Sequence, residues 1–269
     1  MKKITFFNEK GGTGKTTFNV SFASWLAYEK GERVFVRDFD CPSNQIHGLR
    51  VEEIGLIQRD PEFVKLITQK PYPIAKEKED VVIKTHQDRL MLLDKIRKES
   101  QGDGYYIMDF PGRLKTSDAM YNLAYAGLID TIIFPIDSDE ASQARAMYTY
   151  HILNHPQFLK YSGKEHQDAM FLWNRETRTE RRGKRDYYSV AEEKFKDIGI
   201  PVCDNRIREL LSFRRDASVF GFIKSTVCFP IINIKRSAPW LIDVFEEVKE
   251  RIDGTYAGSR EIEELDNVK

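Results

Sequence analysis

The run Lys10-Gly11-Gly12-Thr13-Gly14-Lys15-Thr16-Thr17, set directly behind a short apolar segment from Ile4 to Phe7, constrains this chain more than any other feature. A turn that wraps a row of phosphates must aim several backbone N–H groups at anionic oxygens. It therefore needs residues that tolerate positive φ and carry no bulk. Gly11, Gly12 and Gly14 meet that need, and Thr13 and Thr17 belong to the same nucleotide-binding run. Lys15 can then reach the β- and γ-phosphate oxygens, while the hydroxyl of Thr16 can ligate Mg²⁺. A helix expected from about Lys15 to Glu29 adds the positive end of its dipole.

Two positions depart from the general GxxxxGK[ST] pattern: Glu9 stands where the first glycine is expected, and Lys10 follows it. A second lysine in such a loop is either a solvated charge beside an anion site or a group that serves another subunit's nucleotide. On these residues the chain resembles the ParA/MinD family of ATPases, whose deviant Walker A box reads KGGxGKTT. The resemblance implies that Lys10 crosses the interface of an ATP-sandwich dimer and contacts the phosphates held by the other subunit.

A strand candidate ends in two carboxylates one residue apart, Arg37-Asp38-Phe39-Asp40-Cys41-Pro42. Residues i and i+2 of a strand project to the same side, so Asp38 and Asp40 can face one metal-phosphate centre. The alternative is that they cap the turn at Pro42. The pair is similar to the family's DxDPQ switch I box. That implies an outer-sphere Mg²⁺ role for Asp38, and for Asp40 the positioning or activation of the attacking water. Pro42-Ser43-Asn44-Gln45 replaces the family's continuation, and Arg37 stands where an apolar residue is usual; both departures bear on hydrolysis rate rather than on nucleotide binding.

An apolar run ending in an acid, Tyr105-Tyr106-Ile107-Met108-Asp109, fits a Walker B element in which Asp109 holds the water shell of Mg²⁺. Gly112, just beyond it, allows a main-chain N–H to approach the γ-phosphate. Asn174 ends another strand candidate. By resemblance it presents its amide to adenine, and as a plain residue it is equally a turn former before a charged loop. No NKxD-type guanine box is present, which favours ATP over GTP. Trp173-Asn174 before a charged loop, followed by an arginine-rich stretch, resembles ParA-like proteins of conjugative transposons.

Short buried-strand candidates at Ile4–Phe7, Val34–Val36, Tyr105–Met108, Thr131–Ile136, Met170–Trp173 and Ile200–Cys203 alternate with amphipathic segments. Those segments lie near Phe18–Ala27, His86–Glu99, Ser117–Ala126, Glu140–Leu153 and Tyr187–Ile198. This βαβ rhythm predicts an α/β fold with a mostly parallel twisted sheet, helices on both faces, and the ligand at the carboxyl ends of the strands, and the resemblance implies that it is a single-domain P-loop NTPase. A chain of 269 residues with 41% hydrophobic content suits one such domain, expected over residues 1–253. Residues 58–85, more polar and broken by Pro61, Pro71 and Pro73, read as an insertion with one short helix before Pro71, and residues 254–269 as an acidic, disordered tail.

Cys41, Cys203 and Cys228 lie far apart with no zinc-like spacing, which points to a reducing compartment. The first strand candidate leaves no room for a signal sequence, and no apolar run spans a bilayer, so a cytoplasmic protein without integral membrane contact is expected. The five histidines pair with no nucleophile at a suggestive spacing. Formal net charge is zero, which excludes a long-range pull on DNA or lipid and leaves only local patches.

The resemblance implies a Mg²⁺-dependent ATPase that cycles ATP to ADP, dimerises with ATP, binds DNA non-specifically and answers to an adaptor protein that stimulates hydrolysis. Its use would be the partitioning or positioning of a plasmid, chromosome or mobile element. Candidate phosphate contacts are Arg178, Arg181, Arg182, Arg185, Arg206, Arg208, Arg214 and Arg215, in part of the chain where Arg175 to Arg185 holds six basic and two acidic residues. Neighbouring Glu176, Glu180, Glu209 and Asp216 can pair with half of these arginines. Two other readings stay open. A MinD-like membrane switch needs a basic amphipathic C-terminal helix, whereas Trp240 to Val248 is amphipathic but acidic. A biosynthetic or reductive ATP-dependent enzyme on the same fold is the third.

Overall fold

The computed structural model describes residues 1–41, 43–59, 70–77, 85–112, 119–176, 187–209 and 238–257. Six strands form one parallel sheet: β1 (Lys2–Phe6), β2 (Val34–Asp38), β3 (Ile74–Lys76), β4 (Tyr105–Asp109), β5 (Thr131–Ile136) and β6 (Asp168–Trp173). Their spatial order is β3-β2-β4-β1-β5-β6. All six side chains of β5 are buried, as a parallel strand covered on both faces requires.

Helices α1 (Lys15–Ser24), α2 (Gln45–Arg59) and α8 (Pro239–Asp253) cover one face. On the other lie α3 (His86–Glu99), α4 (Ala119–Tyr125), α5 (Glu140–Leu153), α6 (Pro156–Ser162) and α7 (Tyr187–Asp197). The first core is built on Phe22, whose ring lies 5.8 Å from that of Trp25 and 5.4 Å from Phe245, so α1 and α8 are pinned together. Burying an aromatic of this size contributes about 2–3 kcal/mol. The residues that stop and start these helices are local: Thr85 and Asp88 form a reciprocal capping box on α3, and Pro239 opens α8 while Gly254 closes it in the left-handed region. Behind α1 the helix widens into one π turn, Trp25–Glu29, whose end is marked by Lys30 N–H donating to the Trp25 carbonyl at 3.1 Å.

The α/β architecture matches the sequence expectation, with three differences of detail. Residues 74–76, inside the segment read as an insertion, supply the edge strand β3, which pairs with Val36, Arg37 and Asp38. Helix α2 follows the switch acids where no helix was expected. Ile200–Cys203 forms only a single bridge, Phe171 to Val202, because Pro201 and the buried Cys203 hold it at the sheet edge by two backbone bonds to Phe171. The short helix expected before Pro71 and the tail beyond residue 257 lie outside the described residues. No described helix is long and apolar enough to cross a membrane.

Candidate functional site

The loop after β1 is shaped by its glycines and fastened from outside. Gly14 is the N-cap of α1 at φ 87°, and a Cβ there would sit 2.8 Å from the Phe18 ring, so both conformation and space require glycine. Asn8 Oδ1 accepts from the Lys10 N–H at 2.9 Å, and Asn174 Nδ2 donates to the Thr13 carbonyl at 2.8 Å. The Arg175 guanidinium donates to the Gly12 carbonyl. Gly11 and Gly12 are exposed, with nothing within 4 Å of a Cβ built on either, so the loop's concave side is open. Thr17 is half-buried in the first turn of α1.

Lys15 stands inside this loop, only 8% exposed. Its ammonium donates to the Lys10 carbonyl at 3.1 Å and forms no ion pair among the described residues. Burial lowers its pKa, while the nearby charges of Asp109 and Asp40 act in the opposite direction. A Cβ on Gly112 would lie 2.8 Å from Lys15 Nζ, so the loop after β4 closes directly on that ammonium. A buried cation without a carboxylate partner is expensive unless an anion reaches it.

The acids gather beside it at the ends of β2 and β4, where Asp38 and Asp109 are register partners on adjacent strands. Both are fully buried. Asp109 accepts from the Thr16 hydroxyl at 2.8 Å and from Asn19 Nδ2 at 2.7 Å. Burial first, and then the charge of Asp38, push its pKa up to about 7 against those two hydrogen bonds. Asp38 is raised as well, chiefly by burial. Its carboxylate accepts the Asp40 N–H at 3.0 Å and the Ile46 N–H at 3.1 Å, so it holds the turn into α2 in the manner of the capping alternative. Asp40 is more accessible than either.

Thr16, Asp109, Asp40 and Lys15 are thus brought together, with the charges of Asp38 and Asp40 acting to raise the pKa of Asp109 and those of Asp109 and Asp40 acting to raise that of Lys15. No group of three or more histidine, cysteine or acidic residues among the described residues could hold a metal alone. A Mg²⁺ ion that shares its shell with phosphate oxygens and waters, and takes little from the protein, fits such a donor set.

Lys10 lies on the outer wall. Its ammonium is 2.6 Å from Asp139 and 3.5 Å from Asp137, both at the end of β5. Asp139 also caps α5 through the Ala141 N–H at 2.8 Å. These two acids and Asn19 were not singled out from the sequence. Asp137 and Asp139 carried a usable signal, since Asp-Ser-Asp directly follows the apolar run from Thr131 to Ile136. Asn19, one polar residue between Phe18 and Val20, carried almost none.

Among the basic candidates, Arg206 bonds Glu192 at 3.0 Å and Glu176 at 3.3 Å, and its guanidinium lies over the Tyr188 ring. Arg208 is exposed. Arg178, Arg181, Arg182, Arg185, Arg214 and Arg215 lie outside the described residues. Two adjoining hollows of about 410 and 530 Å³, sharing Tyr125, Tyr148, Ile152 and Phe158, open between α4, α5 and α6, with Arg89 of α3 also lining the larger; among the described residues that line them, Glu9 adjoins the glycine loop.

The AAA_31 family model, described as an AAA domain, matches residues 1–144, more than half of the chain. The chain belongs to the ParA/MinD family of deviant Walker A ATPases. Within that family, sporulation initiation inhibitor protein Soj of Bacillus subtilis is 42% identical over 57 residues. That match covers 21% of this chain and 22% of the length of that curated relative. A plasmid partition protein from Borrelia burgdorferi B31 bound to AMPPNP superposes with a TM-score of 0.59 at 14% identity, over 95% of this chain and 99% of that one. The septum site-determining protein MinD from Pyrococcus horikoshii, complexed with Mg-ADP, gives 0.58 at 18% identity over 96% and 99%. At such identities the superpositions show the ParA/MinD fold.

Proposed function

We propose that this chain is a Mg²⁺-dependent ATPase of the ParA kind, which binds ATP in the glycine loop, dimerises while ATP is bound and separates after hydrolysis. The observation that carries this reading is Lys15, a buried ammonium without an ion pair among the described residues, held against the Lys10 carbonyl inside the glycine turn. Triphosphate is the anion it suits. Mg²⁺ would be held by the Thr16 hydroxyl and, through water, by Asp109 and Asp38; when bound it neutralises charge on the β- and γ-oxygens. Asp40 positions the attacking water, Gly112 senses the γ-phosphate, Asn174 braces the loop beside the base, and Lys10 serves the other subunit's phosphates. The Borrelia plasmid partition protein and the septum site-determining protein MinD, as named, support a role in partitioning or positioning.

DNA is the proposed track, contacted by exposed arginines of which Arg208 is the described example, and an adaptor protein would stimulate hydrolysis. The MinD-like membrane reading is less favoured, because the apolar face of α8 (Leu241, Val244, Phe245, Val248) is buried in the core and its outer face is acidic. DNA retention measured with ATP, with ADP and without nucleotide at two salt concentrations tests the proposal. Retention that needs ATP and falls steeply with salt is expected, and retention indifferent to both would overturn it.

A further inference from the structure

We infer that Asn19 is a positioning residue that sets the carboxylate of Asp109 for the metal, an assignment that rests on the ATPase reading above. Strands β1 and β4 pair only from Lys2↔Tyr105 to Ile4↔Ile107, whereas β1 and β5 stay paired to Phe6↔Ile133. Beyond Ile4 a gap therefore opens between β1 and β4, and the site lies at its mouth. The side chain of Asn19, fully buried on α1, fills that gap. Its Oδ1 accepts the Phe6 N–H at 3.0 Å, and its Nδ2 donates to the Phe6 carbonyl at 3.4 Å and to Asp109 Oδ1 at 2.7 Å.

The amide thus does what a strand neighbour would do for Phe6 and carries the connection across to Asp109. Each carboxylate oxygen then has one donor: Oδ1 takes Asn19 and Oδ2 takes Thr16 at 2.8 Å. This arrangement ties down both Asp109 oxygens, with Oδ2 facing the Thr16 hydroxyl that would ligate Mg²⁺. A residue that only satisfied its own burial could stop at Phe6, yet the shortest of the three bonds goes to Asp109. Groups that orient a metal-side carboxylate in this way typically matter tenfold or more for metal affinity.

The test uses the full chain and N-methylanthraniloyl-ATP as fluorescent probe, titrated in Mg²⁺ and in EDTA. Asn19→Ala empties the position and Asn19→Leu fills it without hydrogen bonds. Both are expected to lower the Mg²⁺-dependent gain in affinity about tenfold and to leave the affinity in EDTA within about twofold. In an Asp109→Asn background, Asn19→Ala should add almost no further loss, since the two act through one carboxylate. Equal losses in Mg²⁺ and EDTA, additive losses in the double variant, or unfolding of both single variants would overturn the assignment. Unchanged Mg²⁺ dependence in both single variants would overturn it while the ATPase reading stands. A wild-type chain that shows no Mg²⁺-dependent gain would overturn the ATPase reading and this inference together.

Discussion

The Lys10 ammonium rests 2.6 Å from the Asp139 carboxylate of its own chain, so the loop lysine proposed to reach another subunit is held at home by the end of β5. Side-chain exposures of 25% for Lys10 and 52% for Asp139 place the pair at the surface, where such contacts are weak and exchange readily. The lysine can therefore be released by any stronger anion.

Asp139→Asn tests that competition. An asparagine oxygen can still cap the Ala141 N–H, while the nearer of the two charges that retain Lys10 is gone and only Asp137, at 3.5 Å, is left. Thermal stability should hold, and the ATP concentration for half-maximal dimerisation, followed by mass photometry, should fall about two- to fivefold. An unchanged or higher requirement would mean that the pair does not restrain Lys10.

Asp109 gives a pH signature. Its pKa in the fold is pushed up to about 7, so between its unfolded value and that point the folded chain binds more protons than the unfolded chain. Stability without nucleotide should therefore fall as pH rises through roughly 4 to 7 and then level off. Asp109→Asn keeps a donor and an acceptor for Thr16 and Asn19 and removes the charge. At pH 8 it should be more stable than wild type by on the order of 1–4 kcal/mol, and near pH 4 the difference should vanish. Urea melts across this range check it, and a destabilised Asp109→Asn at pH 8 would contradict it.

Arg37 behaves in the opposite way. It is 1% exposed and faces away from Asp38, bonding Glu77 and Glu99 beneath α3, where Tyr106 donates to the same Glu99 at 2.6 Å. Arg37→Met removes the guanidinium that Glu77 and Glu99 share, leaving Glu77 with Lys95 at 3.2 Å and Glu99 with Tyr106, and should destabilise the chain by about 3 kcal/mol, at the low end for breaking a buried pair. Affinity for ATP should change less than threefold in the folded protein. A large loss of affinity at unchanged stability would show that Arg37 belongs to the site after all.

These contrasts indicate what the sequence could disclose. The glycine turn was legible because Gly12 and Gly14 take positive φ, and the bounds of α3 and α5 were legible because Thr85 and Asp139 cap their starts. Strand β3 was hidden because three residues, Ile74–Lys76, carry too little pattern and follow a proline-rich stretch. Helix α2 was hidden because Gly48 and Gly55 interrupt its helical pattern and two of its apolar residues, Val51 and Ile54, face solvent rather than the core. Arg37 was read as a departure at the active site, yet strand alternation already directs it to the face opposite Asp38. Asn19 and Asp139 act across more than 80 residues of chain, and no local spacing reports such bonds.

The mass of the full chain in a slowly hydrolysed ATP analogue, compared between wild type and Lys10→Ala by light scattering, tests the central claim most directly. The account predicts two chains for wild type, one chain for Lys10→Ala, and nucleotide affinity of the isolated variant within about threefold of wild type. A Lys10→Ala chain that doubles its mass as readily as wild type would contradict it.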